Sequence, residues 1–254
     1  MFGMKLAALL CVGLLAGYAG LRPAPADACS CMRRSVRAAI DKTAPTNTRV
    51  MLWFSDGASR TAFTLREAGG TRAIAVERKD VTAASYKIAE LVPKQPLRGK
   101  TAYEVVDGAG DKVLEFTTTA GGDTKAPEWK GIQEASYVKQ PGACCVCNTG
   151  TPYVIVDTGA VSDDHGHEGI VFAVWSAAAG GKIDYTKPPT TYVRPWETEI
   201  ALGHPSICGR NNFDLPDGKK LRIGVRPVDL AGNIGVASEI EIDLSRKPNE
   251  IPDI

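Results

Sequence analysis

Short alternating stretches of apolar and polar residues limit the folds open to this chain more than any other feature. In the first half of the sequence these stretches are 48–55, 60–67, 72–78, 85–91, 101–107 and 112–119. Glycine or Asp-Gly pairs separate several of them, as at Asp56-Gly57 and Gly69-Gly70. Period-two alternation between turn residues indicates strands with one face on a core, which is typical of an antiparallel β-sandwich.

The second half of the sequence repeats this pattern with longer loops. Its predicted strands are 152–158, 169–176, 197–203, 221–229 and 238–244. Between the last two, Gly232 and Asn233 tolerate positive φ and predict a hairpin. We therefore expect an all-β fold of two antiparallel sandwiches in tandem, at 44–119 and 128–244. A linker at 120–127 joins them, and a disordered tail follows at 245–254.

The N-terminal segment 29–43 contains Cys29 and Cys31, and its residues 29–42 are the one stretch after residue 28 with helical character. Its sequence, CSCMRRSVRAAIDKT, is rich in alanine and arginine. The pattern predicts one or two helical turns that end before Pro45, because proline cannot continue a helix.

The first 28 residues have the pattern of a cleaved signal peptide. Lys5 precedes an uncharged apolar stretch, 6–21, and a small-x-small end at Ala26-Asp27-Ala28. The apolar stretch is short for a membrane span, which needs about 20 residues. We expect a bacterial protein that is secreted, periplasmic or displayed at the cell surface. Cys29 would then begin the mature chain and is an alternative site for a lipid anchor, although Asp27 fits the lipoprotein pattern poorly.

Charge balance excludes some classes of partner. The chain has 30 Lys and Arg residues against 29 Asp and Glu residues, for a formal net charge of +1. Binding to nucleic acid or to an anionic membrane surface usually requires a clear positive excess. We therefore expect no nucleic acid partner. No stretch after the leader is apolar enough to cross a bilayer, so we also expect no transmembrane segment in the mature chain.

Six cysteines remain after the predicted leader: Cys29, Cys31, Cys144, Cys145, Cys147 and Cys208. An even number in an exported protein favours disulfides. Adjacent cysteines rarely bridge each other, so we expect each of the three outside cysteines to pair with one member of the 144–147 cluster. Thiolate binding of a metal and catalytic thiol exchange are less favoured alternatives, because both need reduced sulfur.

Several short motifs in the first predicted sandwich are similar to those of a known family. The matching residues are Phe54-Ser55 at the end of the first strand, then Leu97, Thr101 and Tyr103, then Phe116-Thr117-Thr118. Residues 44–119 thus resemble the bacterial Ig-like domain of the S-layer (SbsA) type. The resemblance implies an Ig-like sandwich and carries over no catalytic residue.

The ends of the second predicted sandwich resemble another class of module. Asp123 and Pro127 match the Asp-x-x-x-Pro opening of many bacterial extracellular Ig-like and fibronectin III-like modules. The sequence 229–233, Asp-Leu-Ala-Gly-Asn, matches their ending. This resemblance implies a second Ig-like or fibronectin III-like module.

Two places are candidates for ligand binding. The loop 162–169 contains Asp163, Asp164, His165 and His167, whose donor atoms suit a divalent metal, with Glu168 and His204 as possible additions. A solvated acidic loop without a ligand is the interpretation that we favour. Trp196 lies in a predicted loop and is the best candidate for an exposed aromatic that binds a ligand such as a sugar.

These observations favour a non-enzymatic role. The G-x-S-x-G, H-E-x-x-H and G-x-x-x-x-G-K-[ST] signatures do not occur in the sequence. We expect a structural, adhesive or binding protein of the cell envelope, with an envelope or extracellular protein or a glycan as its partner and no cofactor. The alternative is a metal- or carbohydrate-binding protein that uses the His165/His167 loop or Trp196.

Overall fold

The computed structural model describes residues 36–55, 62–83, 86–139, 150–165, 169–203 and 213–250. These residues belong to one compact unit, which takes in residues 32–254. The described part contains only β-strands and connecting segments, with no α-helix, so the predicted all-β class is confirmed. Within the same ranges, no helix is long and apolar enough to cross a membrane.

Eighteen strands occur in the described residues. Those of the first half are β1 (Arg37–Ala38), β2 (Thr43–Ala44), β3 (Val50–Ser55), β4 (Phe63–Glu67), β5 (Val76–Ala83), β6 (Tyr86–Pro93), β7 (Ala102–Asp107) and β8 (Lys112–Thr118). Those of the second half are β9 (Glu128–Trp129), β10 (Glu134–Lys139), β11 (Tyr153–Asp157), β12 (Val161–Ser162), β13 (Val171–Ala178), β14 (Thr191–Val193), β15 (Glu199–Leu202), β16 (Lys220–Val228), β17 (Ser238–Asp243) and β18 (Asn249–Glu250).

The strands form four larger sheets and one small ribbon. In the first half, sheet I has the order β2-β8-β7-β4 and sheet II has the order β1-β3-β6-β5. In the second half, sheet III has the order β14-β13-β16-β17 and sheet IV has the order β15-β11-β10-β18. The ribbon pairs β9 with β12. Pairing is antiparallel except where the short strands β2 and β18 join β8 and β10 in parallel.

Each half of the chain has its own buried core. Sheets I and II enclose the first core, which includes Leu52, Leu91 and Phe116. Sheets III and IV enclose the second core, which includes Val174 and Ile223. The two predicted sandwiches are therefore both present, and alternate residues of each strand supply their cores.

A third buried cluster joins the two sandwiches. It combines Met51 and Ile88 of sheet II with Ala173 and Trp175 of sheet III. Because these side chains alternate with those of the two separate cores, the central strands β3 and β6 of sheet II and β13 of sheet III are covered on both faces. The protein is thus a stack of four sheets in the order I, II, III, IV.

Double-sided burial explains the composition of the central strands. In β13 the five residues Val171–Trp175 are all buried, and β3 has the continuous apolar run Val50–Phe54. A strand with one face in water alternates between apolar and polar residues, whereas a strand covered on both faces is apolar throughout. The runs VMLWF and VFAVW therefore mark the two sheets that pack against each other.

Polar contacts reinforce the interface between the sandwiches. The Trp53 indole N–H donates to the carbonyl oxygen of Tyr192 at 3.2 Å, and Arg194 donates to the carbonyl oxygen of Ala38 at 3.0 Å. Tyr86 of β6 is partly buried in the same region, and desolvation raises the pKa of its phenol to about 12. Hydrogen bonds from Trp53 and Arg194 therefore link the two sandwiches beside the apolar cluster.

Some local predictions differ from the structure. The described part of the segment 29–43 contains β1 instead of a helical turn, because Arg37 and Ala38 pair with Trp53 and Leu52. β5 begins at Val76, four residues later than predicted, because it follows the full length of its partner β6. β14 lies inside the predicted long loop 177–195, where it pairs with β13.

The chain end also differs from its prediction. The tail 245–254 was expected to be disordered, but Asn249 and Glu250 form β18 and pair with Val138 and Lys139 of β10. An edge strand with free backbone groups can take up any segment that reaches it, whatever its side chains. Residues 251–254 lie outside the described part.

Substitution of Ile88 tests the interface between sheets II and III. Ile88 is fully buried, so Ile88→Ala should lower the free energy of unfolding by about 2–4 kcal/mol. Hydrogen exchange measured by mass spectrometry should show faster exchange in β13 of the other sandwich as well as in β6. The exposed Lys79→Ala on β5 is the control and should change neither. Unchanged protection of β13 in Ile88→Ala would contradict a shared interface.

Candidate functional site

Four polar side chains from two distant parts of the sequence form a cluster beside the linker. Asp123, Asp163, Asp164 and His165 each place a possible metal-ligand atom within 4.8 Å of the others. We call this group the Asp-His cluster. Within the part of the chain that the structure describes, it is the one such group of acidic, histidine or cysteine side chains.

The linker holds Asp123 in a fixed and buried position. Its Oδ1 accepts a hydrogen bond from the backbone N–H of Lys125 at 2.9 Å, which forms an Asx turn. Its backbone N–H donates to Asn47 Oδ1 at 2.8 Å, and Asn47 Nδ2 donates to its carbonyl oxygen at 2.7 Å. The side chain is only 1% exposed. Asp123 is therefore tied to the first sandwich through Asn47.

The turn after β12 supplies the other three members. Pairing of Val161 with Trp129 in the β9–β12 ribbon brings this turn beside the linker. The His165 backbone N–H donates to Asp163 Oδ2 at 3.1 Å. His165 Nδ1 lies 3.0 Å from Asp164 Oδ1 and 3.2 Å from Asp123 Oδ2. The imidazole therefore stands between a carboxylate of the turn and the buried carboxylate of the linker.

The cluster concentrates negative charge. Burial raises the pKa of Asp163, and the neighbouring charges of Asp123 and Asp164 act in the same direction. Asp164 has the opposite shift, because hydrogen bonds from Lys125 and then from His165 lower its pKa. Lys125 Nζ lies 3.0 Å from Asp164 Oδ2, on the side away from the imidazole contact to Oδ1. The exposed Lys125 thus balances only the outermost carboxylate.

A further buried carboxylate lies near the cluster, in the hairpin that follows β16. Asp229 Oδ1 accepts hydrogen bonds from the backbone N–H groups of Gly232 and Asn233, at 2.6 and 2.9 Å. Its Oδ2 accepts a hydrogen bond from Asn233 Nδ2 at 2.9 Å. Burial raises the pKa of Asp229, and Asp123 contributes in the same direction. These bonds explain the Asp-Leu-Ala-Gly-Asn sequence as a closed turn.

This hairpin also packs against the first sandwich, through the contact between Gly232 and Arg49. Of the two residues predicted to tolerate positive φ here, Gly232 adopts it, with φ of 90°, and Asn233 does not. A Cβ built on Gly232 would lie 2.3 Å from Arg49 Nε. Arg49 in turn forms an ion pair with the buried Glu90, with 2.5 Å between Nη1 and Oε1. The glycine is therefore needed for its conformation and for the space that the guanidinium occupies.

The structure brings together three of the six candidate metal ligands. Asp163, Asp164 and His165 lie in one cluster, whereas His167, Glu168 and His204 lie outside the described residues. Asp123 was not predicted, because it is 40 residues away in the sequence from Asp163. The one hint in the sequence was the Asp-x-x-x-Pro motif, which places the Asp123 carboxylate at the border between the two modules.

Trp196, the other candidate binding residue, lies at the start of a tight turn that leads into β15. It is 81% exposed, and its backbone exchanges hydrogen bonds with Glu199 of 2.7 and 2.9 Å. Between them Glu197 has φ of 54°, a left-handed conformation that costs a non-glycine residue about 1 kcal/mol or more. The indole is therefore exposed to solvent beside a turn whose backbone is strained at Glu197.

The six predicted disulfide cysteines all lie outside the described residues. Their pairing stays a prediction.

No family model and no curated protein matches the chain. Among solved structures it is similar to the tandem Ig repeats of Dlar, with 10% identity and a TM-score of 0.27, over 87% of this chain and all of that one. It is also similar to pullulanase from Anoxybacillus sp. LM18-11 complexed with maltotriose, with 10% identity and a TM-score of 0.25, over 81% of this chain. For pullulanase type I from Bacillus subtilis str. 168 complexed with maltose, the values are 9%, 0.26 and 84%. The chain spans 25% of the length of each pullulanase.

Two glycine substitutions separate the conformational role of Gly232 from its packing role. Gly110 also has positive φ, of 85°, but a Cβ there would meet no atom within 4 Å. Gly110→Ala should cost about 1 kcal/mol, through its φ alone. Gly232→Ala should cost clearly more in urea denaturation, because Arg49 must move away from Glu90. Equal losses for the two variants would contradict the contact between this hairpin and the first sandwich.

Proposed function

We propose that this chain is an exported bacterial cell-envelope protein with a structural or adhesive role and no enzyme activity. The observation that supports this most is the buried interface between sheets II and III. It joins the two sandwiches through Met51, Ile88, Ala173 and Trp175. A double sandwich joined in this way presents its loops on a rigid base, which suits a load-bearing or adhesive module better than a flexible one.

Finer details of the proposal come from the sequence. The first sandwich would be an Ig-like domain of the SbsA type, and the second an Ig-like or fibronectin III-like module. The leader 1–28 would direct export, and three disulfides would link Cys29, Cys31 and Cys208 to Cys144, Cys145 and Cys147. The partner would be another envelope or extracellular protein, or a glycan.

Intact mass of the protein purified from a bacterial periplasm or culture medium tests the export proposal. We expect the mass of a chain without residues 1–28 and lacking six hydrogen atoms, because each disulfide removes two. Reduction should restore those six hydrogens. A lipid on Cys29 would appear as a large added mass and would place the protein on the membrane surface. A full-length chain with free thiols would contradict export.

Trp196 supports a second candidate function, the binding of a carbohydrate. An exposed indole on a strained turn costs stability without contributing to the core, and such costs are common where a side chain must contact a ligand. A planar aromatic surface can stack on a sugar ring. The metal-binding alternative rests on the Asp-His cluster and is a separate question.

Substitution of Trp196 tests the carbohydrate proposal. Trp196→Ala should leave the urea midpoint unchanged, since the side chain is exposed, and should weaken sedimentation with purified cell-wall polysaccharide about tenfold or more. Trp196→Tyr is the conservative control and should retain part of the binding. If the wild-type protein does not sediment with the polysaccharide, or if Trp196→Ala sediments equally, Trp196 is not a carbohydrate-binding residue for this polymer.

A further inference from the structure

We propose that the Asp-His cluster binds one divalent transition-metal ion, for which Zn²⁺ is the probe, and that the ion fixes the linker to the second sandwich. Asp123, Asp163 and Asp164 would supply carboxylate oxygens, and His165 would supply Nδ1. This inference goes beyond the proposed structural or adhesive role and does not depend on export.

Two buried oxygen atoms point to a bound cation. Asp123 Oδ2 and Asp163 Oδ1 are buried, and neither accepts a hydrogen bond from another described residue. The Asp123 side chain is almost completely withdrawn from water, and its Oδ2 faces the cluster, where His165 Nδ1 is 3.2 Å away. Burying a carboxylate without full compensation is costly, so such oxygens normally have a charged partner. A cation inside the cluster would supply that partner to both oxygens.

Hydrogen bonds from the protein hold one oxygen of each carboxylate. Asp164 Oδ1 and His165 Nδ1 also form a hydrogen bond of 3.0 Å with each other, which the ion would replace. Asp123 Oδ1 is engaged by the Lys125 backbone N–H, and Asp164 Oδ2 is engaged by Lys125 Nζ. Asp163 Oδ2 accepts the His165 backbone N–H. In Asp123 and Asp163 one oxygen is therefore held by the protein, while the other is buried and has no hydrogen-bond partner among the described residues. Hydrogen bonds from surrounding groups orient ligand side chains in the same way at known metal sites.

Donor type and number favour a transition ion over Ca²⁺. Ca²⁺ takes six to eight oxygen ligands, and the cluster offers three carboxylates and a nitrogen. Imidazole suits Zn²⁺ and similar ions, which bind four ligands at about 2.0–2.2 Å. Ligand atoms of such a tetrahedral site lie roughly 3.3 Å apart. The separations of 3.0 and 3.2 Å from His165 Nδ1 to Asp164 Oδ1 and Asp123 Oδ2 are already close to that spacing.

The position of the cluster gives the ion a structural role. Asp123 belongs to the linker and is bonded to Asn47 of the first sandwich. Asp163, Asp164 and His165 belong to a turn of the second sandwich. An ion held by both would connect the two sandwiches at the linker, in addition to the apolar cluster between sheets II and III.

Calorimetric titration of the full mature chain, without an affinity tag and in metal-free buffer, tests the proposal. The wild-type protein should bind Zn²⁺ at a ratio of one ion per chain and should bind Ca²⁺ more weakly. Asp123→Asn keeps the size of the side chain and its Asx turn, and it should weaken Zn²⁺ binding by more than about tenfold. His165→Ala removes an exposed side chain and should have a similar effect.

A matched control separates loss of a ligand from loss of a turn. Asp157 forms the same type of Asx turn, since its Oδ1 accepts the Gly159 N–H at 2.7 Å, but it lies outside the cluster. Asp157→Asn should therefore bind Zn²⁺ like the wild-type protein. Circular dichroism of every variant checks that the fold is retained.

Co²⁺ distinguishes this site from the cysteines. A carboxylate–imidazole site gives weak visible absorption, whereas thiolate ligands add strong charge-transfer absorption in the near ultraviolet. We expect the visible absorption alone, and we expect Asp123→Asn to lose it. The proposal is overturned if Zn²⁺ does not bind, if Ca²⁺ binds more tightly, if thiolate absorption appears, or if Asp123→Asn and His165→Ala bind like the wild-type protein.

Discussion

Burial of the central strands of sheets II and III on both faces is the constraint on which the rest of this structure depends. Each sheet supplies alternate side chains to its own sandwich core and the remaining side chains to a shared interface. In β13, for example, Val174 belongs to the second core while Ala173 and Trp175 belong to the interface. A polar residue in the stretches buried on both faces would need a partner between the sheets, so the runs Val50–Phe54 and Val171–Trp175 are apolar throughout.

The polar residues near this interface follow from the same constraint. Glu90 is buried on β6 and is matched by Arg49, whose guanidinium lies under Gly232 of the second sandwich. Backbone bonds continue the contact, since the Arg49 N–H donates to the carbonyl oxygen of Leu230 at 2.6 Å. Asn47 holds the linker at Asp123 in the same loop. The first sandwich, the linker and the last hairpin therefore meet around residues 47–49, and the Asp-His cluster lies at the edge of this junction.

Much of the fold could be predicted from local sequence, because alternation and turn residues are local signals. The long strands β3, β6, β7, β8, β13, β16 and β17 lie close to their predicted positions. Short strands such as β1, β14 and β18 could not be predicted, because they form where a neighbouring strand offers free backbone groups. The joining of the two sandwiches was also missed, although the run VFAVW in β13 is the composition of a strand buried on both faces.

Local sequence could identify some residues of the Asp-His cluster but not all of them. Asp163, Asp164 and His165 were candidate ligands because they are adjacent in the sequence, whereas Asp123 joins them only through the pairing of β9 with β12. Pairing between distant segments is set by the fold as a whole, so no local motif could place that carboxylate in the cluster.

Small-angle X-ray scattering of the mature chain tests the four-sheet stack most directly. A chain of this length folded as one compact body has a radius of gyration of about 17–18 Å. The stack predicts a value in that range and a distance distribution with a single maximum. A clearly larger radius, with the two maxima of sandwiches joined end to end, would contradict it.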